Sequence, residues 1–269
     1  MSVIIIGLMA MFNQTQRAFR LGMTQTDVLE AGRMATDLLV RELEQVRPNY
    51  GVVDFNARTN SPNFYAQFRQ GLAQPVPGGT AYRSNILTDL FFVTRENQTW
   101  KGIGYFVANT DVKDNIPIVG TLYRYETNQT IYQNLNAGWM CGGFNNSRMY
   151  VTNNVSKVLD GIIHFRVRVY NPTNGWISSW VGGYDTNTIY PFGGTLAQPT
   201  EVNTYFFFSN SVPAFVELEL GVVEPQIYER YKSLPTDQVR TNYLKEQVAH
   251  VHLFRQRIPI RNLDRTAYP

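Results

Sequence analysis

Side chains that usually carry chemistry are few in this chain, and their settings are poor for it. Three histidines occur among 269 residues. His164 sits between Ile163 and Phe165 in an apolar, alternating run, the setting of a packed histidine rather than of a general base. His250 and His252 are two apart, so on a strand both project from one face, a geometry that metal sites use. No third ligand is identifiable beside them. Asp111, Asp114 and Asn115 carry oxygens of the kind calcium takes, but Lys113 lies among them and EF-hand spacing is missing, so turn formation explains the segment better. Cys141, the single cysteine, has no flanking positive charge or histidine to lower its pKa and reads as a small buried side chain. Nor does the chain contain GxSxG, a P-loop, GxGxxG after a strand, or HExxH. No catalytic, cofactor-binding or metal-ligating residue can be named, and the expectation is a non-enzymatic protein without cofactors. Trp176 and Trp180, four apart around Ser178 and Ser179, either present an aromatic surface to a sugar or partner or pack at a sheet edge.

Composition narrows the classes further. Hydrophobic residues make up 43% and charged residues 17%, which describes a chain that folds around a core. One cysteine excludes an intrachain disulfide and a CxxC…CxxC zinc site, so stability must come from packing. The net charge of +3 is spread almost evenly: residues 1–47 hold five charges of each sign, and the excess lies after residue 223. Nucleic-acid affinity depends on clustered cations that neutralise phosphates, so no nucleic-acid partner is expected. Arg255, Arg257, Arg261 and Arg265 make the carboxy-terminal end basic, and alternation puts the first two on one strand face, read as solvated.

The elements that position these residues begin with a long helix. Val3, Ile4, Ile5, Ile6, Leu8, Met9, Met11 and Phe12 dominate an uninterrupted apolar run over residues 3–12, about half of the roughly 20 residues that a membrane span needs. Residues 13–47 contain no proline, and Pro48 stops the helix. On a wheel of about 100° per residue, Val28, Ala31, Ala35, Leu38, Leu39, Leu43 and Val46 share one arc of about 140°, while Asp27, Glu30, Arg33, Asp37, Arg41, Glu44 and Arg47 fall outside it. Glu42 lands inside the apolar arc and reads as a carboxylate at a helix–sheet seam, held by an arginine or by backbone N–H groups. Gly22 predicts a bend or local melting.

After Pro48 the chain passes through Pro-, Gly- and Asn-rich loops to a series of strands: 86–94, 102–108, 120–126, 162–170, 205–208, 214–223 and 251–260. In the strand from Ala214, Val216, Leu218, Leu220 and Val222 face one side and Glu217 and Glu219 the other, as a half-buried antiparallel strand requires. Thr236 begins a helix, as its N-cap, that runs to about His250. The fold class is therefore α+β, a long amino-terminal helix (residues 1–47) packed on an antiparallel β-sheet head (residues 48–269).

An apolar first half, an amphipathic second half and a β-rich body together resemble the type IV pilin-like subunits of bacteria. The ordered set GIGYFV, GTLYRYE, Val155 to Gly161 leading into IIHFRVRVY, Trp176, and Val212 to Leu220 is similar to the J-class minor pseudopilin of type II secretion and the W-class minor pilin of type IV pili. Two regions depart from the family, an insertion at 182–204 and an extension over 224–269. The prepilin peptidase site is also missing, and Met1-Ser2-Val3-Ile4 looks like the middle of a mature pilin helix, which implies a chain lacking the leader and the first residues of that helix. By resemblance, the chain is a structural subunit at the inner membrane of a two-membrane bacterium, with a single-pass helix and a periplasmic head. Its expected partners are the I- and K-class minor pseudopilins and secreted cargo, and residues 3–12 are the expected filament-core contact. A membrane-tethered β-sandwich that binds carbohydrate or another extracellular ligand through Trp176, Trp180 and the insertion is the alternative.

Overall fold

The computed structural model describes residues 2–49, 62–76, 80–109, 118–130, 138–150, 154–177, 189–193 and 202–268. One helix, α1 (Ser2–Leu43), opens the chain. It is followed by β1 (Phe64–Pro75), β2 (Tyr82–Glu96), β3 (Thr99–Ala108), β4 (Gly120–Thr130), α2 (Gly138–Tyr150), β5 (Val155–Tyr170), β6 (Ile189–Gly193), β7 (Val202–Phe207), β8 (Phe215–Val223), α3 (Pro225–Ser233), α4 (Asp237–Glu246) and β9 (Val251–Pro259). The architecture is α+β, a long amino-terminal helix packed against a multistranded antiparallel sheet.

The sheet runs β6-β7-β1-β2-β3-β4-β5-β8-β9, with a further parallel contact between β2 and β5 at Leu87 and Phe165. Its main core lies between one sheet face and the second half of α1, where Val28, Ala35, Leu39, Leu43 and Val46 meet Leu90, Phe92, Tyr105, Val167, Leu218 and Ile258. Ala31 and Leu38 are only half-buried at the rim of this stripe. Gly32 and Thr36 are buried in it. A Cβ on Gly32 would come within 2.2 Å of the Phe254 ring, so the missing side chain is what lets α1 lie close on β9. The Thr36 hydroxyl, which would otherwise be an unsatisfied donor, bonds the Gly32 carbonyl one turn earlier at 2.8 Å.

Several elements differ from the sequence reading. The helix is α-helical without interruption through Gly22, and it ends at Leu43, before Pro48. Val46 then leaves the helix to form a bridge with Thr94. β1 occupies a stretch read as loop: its proline and glycine content hid the alternation of Phe64, Ala66 and Phe68 with Tyr65, Gln67 and Arg69. A register shift between Gln70 and Ala73 accommodates Gly71, where a Cβ would meet the Asn85 carbonyl oxygen at 2.4 Å. Helix α2 is likewise hidden in the sequence, because three glycines and two asparagines make it a weak helix former. Tertiary packing holds it: the Phe144 ring fills the space left by Gly104 and touches Phe91, Phe106 and Tyr125 at centroid distances of 5.6–5.9 Å. Thr236 is the N-cap of α4, its hydroxyl oxygen accepting from the Val239 N–H.

The expected single-pass membrane anchor is corrected: among the described residues no helix is long and apolar enough to cross a membrane. The physical reason is local. Apolar character stops at Phe12, and Asn13, Gln14, Gln16 and Arg17 follow where a span needs about ten more apolar residues.

The two halves of α1 therefore differ in what they contribute to folding. Leu39→Ala, at a fully buried site, is expected to lower the unfolding free energy by about 2–5 kcal/mol. Phe12→Ala, on an exposed turn, should change it by less than about 0.5 kcal/mol. Urea titration of the two variants beside the parent chain measures both.

Candidate assembly surface

From Ile4 to Phe19 every side chain on α1 is exposed, including Ile4 at 66%, Phe12 at 63% and Phe19 at 70%. Ile5, Ile6, Leu8, Met9 and Met11 surround the helix in its first turns, and Met23 continues the apolar surface. The backbone of Val3 belongs to the same helix. A helix that is apolar on all sides is stable in water only when something covers it, so this stem is the largest unpartnered apolar surface among the described residues. It is the region that sequence reasoning assigned to a filament core, and it stands clear of the head.

A polar seam near the carboxy-terminal end of α1 fixes the helix's axial position on the head. The Glu42 carboxylate accepts from Arg124 Nη2 at 2.7 Å and Arg124 Nε at 2.9 Å, and from the Tyr105 hydroxyl. Arg124 also pairs with Glu126 at 2.6 Å. Burial works against the arginine's charge, but its hydrogen bonds to Glu42 and Glu126 outweigh that and raise its pKa. Burial, with the neighbouring Glu42 carboxylate, pushes the Tyr105 phenol up. Both groups therefore stay protonated donors at any physiological pH. Two residues further on, just past the end of α1, Arg261 pairs with Glu44 at 2.5 Å, and Asn262 donates to the Val46 carbonyl at 3.0 Å, tying the carboxy-terminal segment to the helix end.

The remaining sequence candidates are scattered rather than convergent. Trp176 is half-buried, its backbone bridged to Tyr170 and its ring under the Arg168 guanidinium at 5.0 Å. Trp180, with which it was grouped, lies outside the described residues, as do Asp111, Asp114 and Asn115. Cys141 is buried in α2, and burial pushes its thiol up to about 12. His250 Nδ1 and His252 Nε2 approach the same Glu224 oxygen at 3.3 and 3.6 Å. Among the described residues no group of three or more His, Cys, Asp or Glu side chains is arranged to hold a metal ion.

Two clusters were not legible as such. On the face of the sheet that α2 covers, fully buried Asp89 receives Arg69 at 2.7 Å and Arg148 at 2.5 Å. Arg148 also donates to Gln67, which accepts from Tyr65, so the arginine clamps α2 to β1 and β2. The available signal was the lone carboxylate inside the apolar run ILTDLFFVT. Along β5, β8 and β9 a charged ladder replaces the solvated face expected for Glu217 and Glu219. Glu217, 5% exposed, pairs with Arg168 at 3.5 Å and Arg255 at 2.8 Å. Arg257 lies over the Tyr170 and Phe215 rings. These cross-strand partners, invisible to a strand read alone, are what bury the carboxylates.

Compared with family models, with curated proteins and with solved structures, the chain matches none of them.

The ladder ends in a pH-dependent contact. His164 Nδ1 accepts from the Ile86 N–H at 3.1 Å, so the ring proton sits on Nε2, facing Glu219 at 3.3 Å. Burial lowers the His164 pKa below 6.5 against the opposing pull of Glu219, while the hydrogen bond to His164 holds the Glu219 carboxyl at about 2. Below pH 6.5 the unfolded chain therefore binds a proton that the folded chain does not. Stability should fall as the pH drops from 7 toward 5, and again below pH 4.5 as Glu219 approaches its folded pKa. Urea unfolding at stepped pH should show the first decline in the parent chain and a flatter profile in His164→Gln.

Proposed function

We propose that the chain is a non-enzymatic, pilin-like structural subunit of the J or W minor class, whose exposed helix stem packs among helices of neighbouring subunits to start or cap a filament. The single observation that supports this reading is the division of α1. The stripe from Val28 to Val46 packs on the head, and residues 4–19 together with Met23 present large apolar side chains with no cover from the chain itself. The driving force is removal of that surface from water, worth about 25 cal/mol per Å² of apolar area. The head surface around the stem's exit then selects neighbours through shape and charge. By resemblance those neighbours are the I- and K-class subunits of a type II secretion or type IV pilus system, with secreted cargo as a further contact.

Deletion of residues 2–12 removes most of the stem's apolar surface and, among the described side chains, nothing that packs on the head. The shortened chain should unfold at the same denaturant concentration as the parent, stay monomeric by light scattering, and fail to enter assemblies that the parent forms with its neighbours. Incorporation equal to the parent's would end the proposal.

A further inference from the structure

The apolar side chains of the stem are not spread evenly once the apolar tip gives way to mixed sequence. Ile5, Met9, Phe12, Gln16, Phe19 and Met23 follow spacings of four, three, four, three and four, the heptad seam of a coiled coil. All six are exposed. At about 100° per residue they centre near 140° on the helix wheel, whereas the buried residues Val28, Gly32, Ala35, Thr36, Leu39 and Leu43 centre near 310°. The seam thus faces about 170° away from the head.

We infer that two copies of this chain pair in parallel and in register through this seam, each head pointing outward. This rests on the reading of the stem as an assembly element and adds the partner and the register. Three features of the stem and the head select this occupant. The first is steric: with the head on the opposite side of α1, two copies aligned side by side bring no head into the other's path. The second is polar matching. In register, the Gln16 amides meet across the seam, where each has donors and an acceptor to offer the other. An antiparallel pair centred near residue 14 also matches apolar with apolar, but it sets Gln16 against Phe12 and leaves a buried amide unsatisfied. One polar residue at a seam position is the device that fixes register and orientation in coiled coils. The third is area: roughly 100 Å² from each of twelve seam side chains over two copies is on the order of 1,200 Å², the size at which specific interfaces begin.

Cysteine cross-linking of the full chain tests the orientation directly. The native Cys141 is buried in α2, so the parent chain serves as the blank. Under mild oxidation Gln16→Cys should give a disulfide-linked dimer as its main product, while Gln14→Cys, on the far side of the helix, should remain monomeric. Mixing Gln16→Cys with Phe12→Cys should add no product beyond each variant's own. Preferential 16–12 linkage would overturn the inference in favour of an antiparallel pair, and 16–9 or 16–23 linkage, tested with Met9→Cys and Met23→Cys, in favour of a staggered array. Light scattering supplies a second readout that needs no disulfide. The parent should be dimeric at micromolar concentration and Phe19→Glu monomeric, with the same urea midpoint once the parent is diluted to where it dissociates. A monomeric parent that still enters assemblies with other subunits would overturn the homotypic pair alone. Loss of all stem-dependent association would remove the assembly reading as well.

Discussion

Everything in this molecule depends on one long helix being held along only half of its length. A 42-residue helix is about 63 Å long, and its own hydrogen bonds do not decide where it lies. What decides is the stripe from Val28 to Val46, which buries against the sheet and fixes the axis of the whole rod. The stem follows rigidly from that contact, because no proline or cap interrupts the backbone between Ile4 and Leu43. A helix half that touches nothing is thereby aimed by the half that does.

Fixing such a rod takes more than an apolar stripe, since a smooth hydrophobic contact tolerates sliding by a turn. Two features remove that freedom. Gly32 against Phe254 is a close approach that only one residue in the helix allows, and it sets the distance to β9. Glu42, clasped by Arg124 and Tyr105, sets the axial position, because a slip of one turn would leave a half-buried carboxylate without its donors. Burial of this ion pair adds little to stability on its own account, since desolvation offsets much of the attraction. Its effect is on geometry.

What the sequence made legible follows from the range of the interactions involved. The apolar arc of α1 and the intrusion of Glu42 into it are periodic signals contained in one segment, and the structure places them at the seam. Strands with β-branched and aromatic residues between turn signals were likewise readable, as for β2, β3 and β8. The failures have the opposite character. α2 is a helix because Gly104 leaves a socket for Phe144 and Asp89 holds Arg148, and neither partner is local to the segment. β1 alternates correctly, yet its ladder partners β7 and β2 are what turn a Pro- and Gly-flanked stretch into a central strand. Glu217 reads as a solvent-facing residue until β5 and β9 bring arginines to both sides of it. The membrane anchor failed for a different reason. A resemblance supplied a length that the apolar run itself, ten residues, does not have.

The same contrast separates the two faces of α1. Residues that pack on the head are chosen for shape: small at Gly32, Ala35 and Thr36, branched at Val28, Leu39 and Leu43. Outward-facing residues of the stem are large and mostly unbranched, with methionine and phenylalanine at four of the six seam positions. Methionine adapts to an irregular partner surface at little cost, and aromatic rings supply area with few rotatable bonds. Side chains of that kind suit a contact formed after folding, against another molecule, more than one formed within the chain. The head-facing half of α1 is thus built to fold, and the outward half carries large side chains that the fold leaves uncovered.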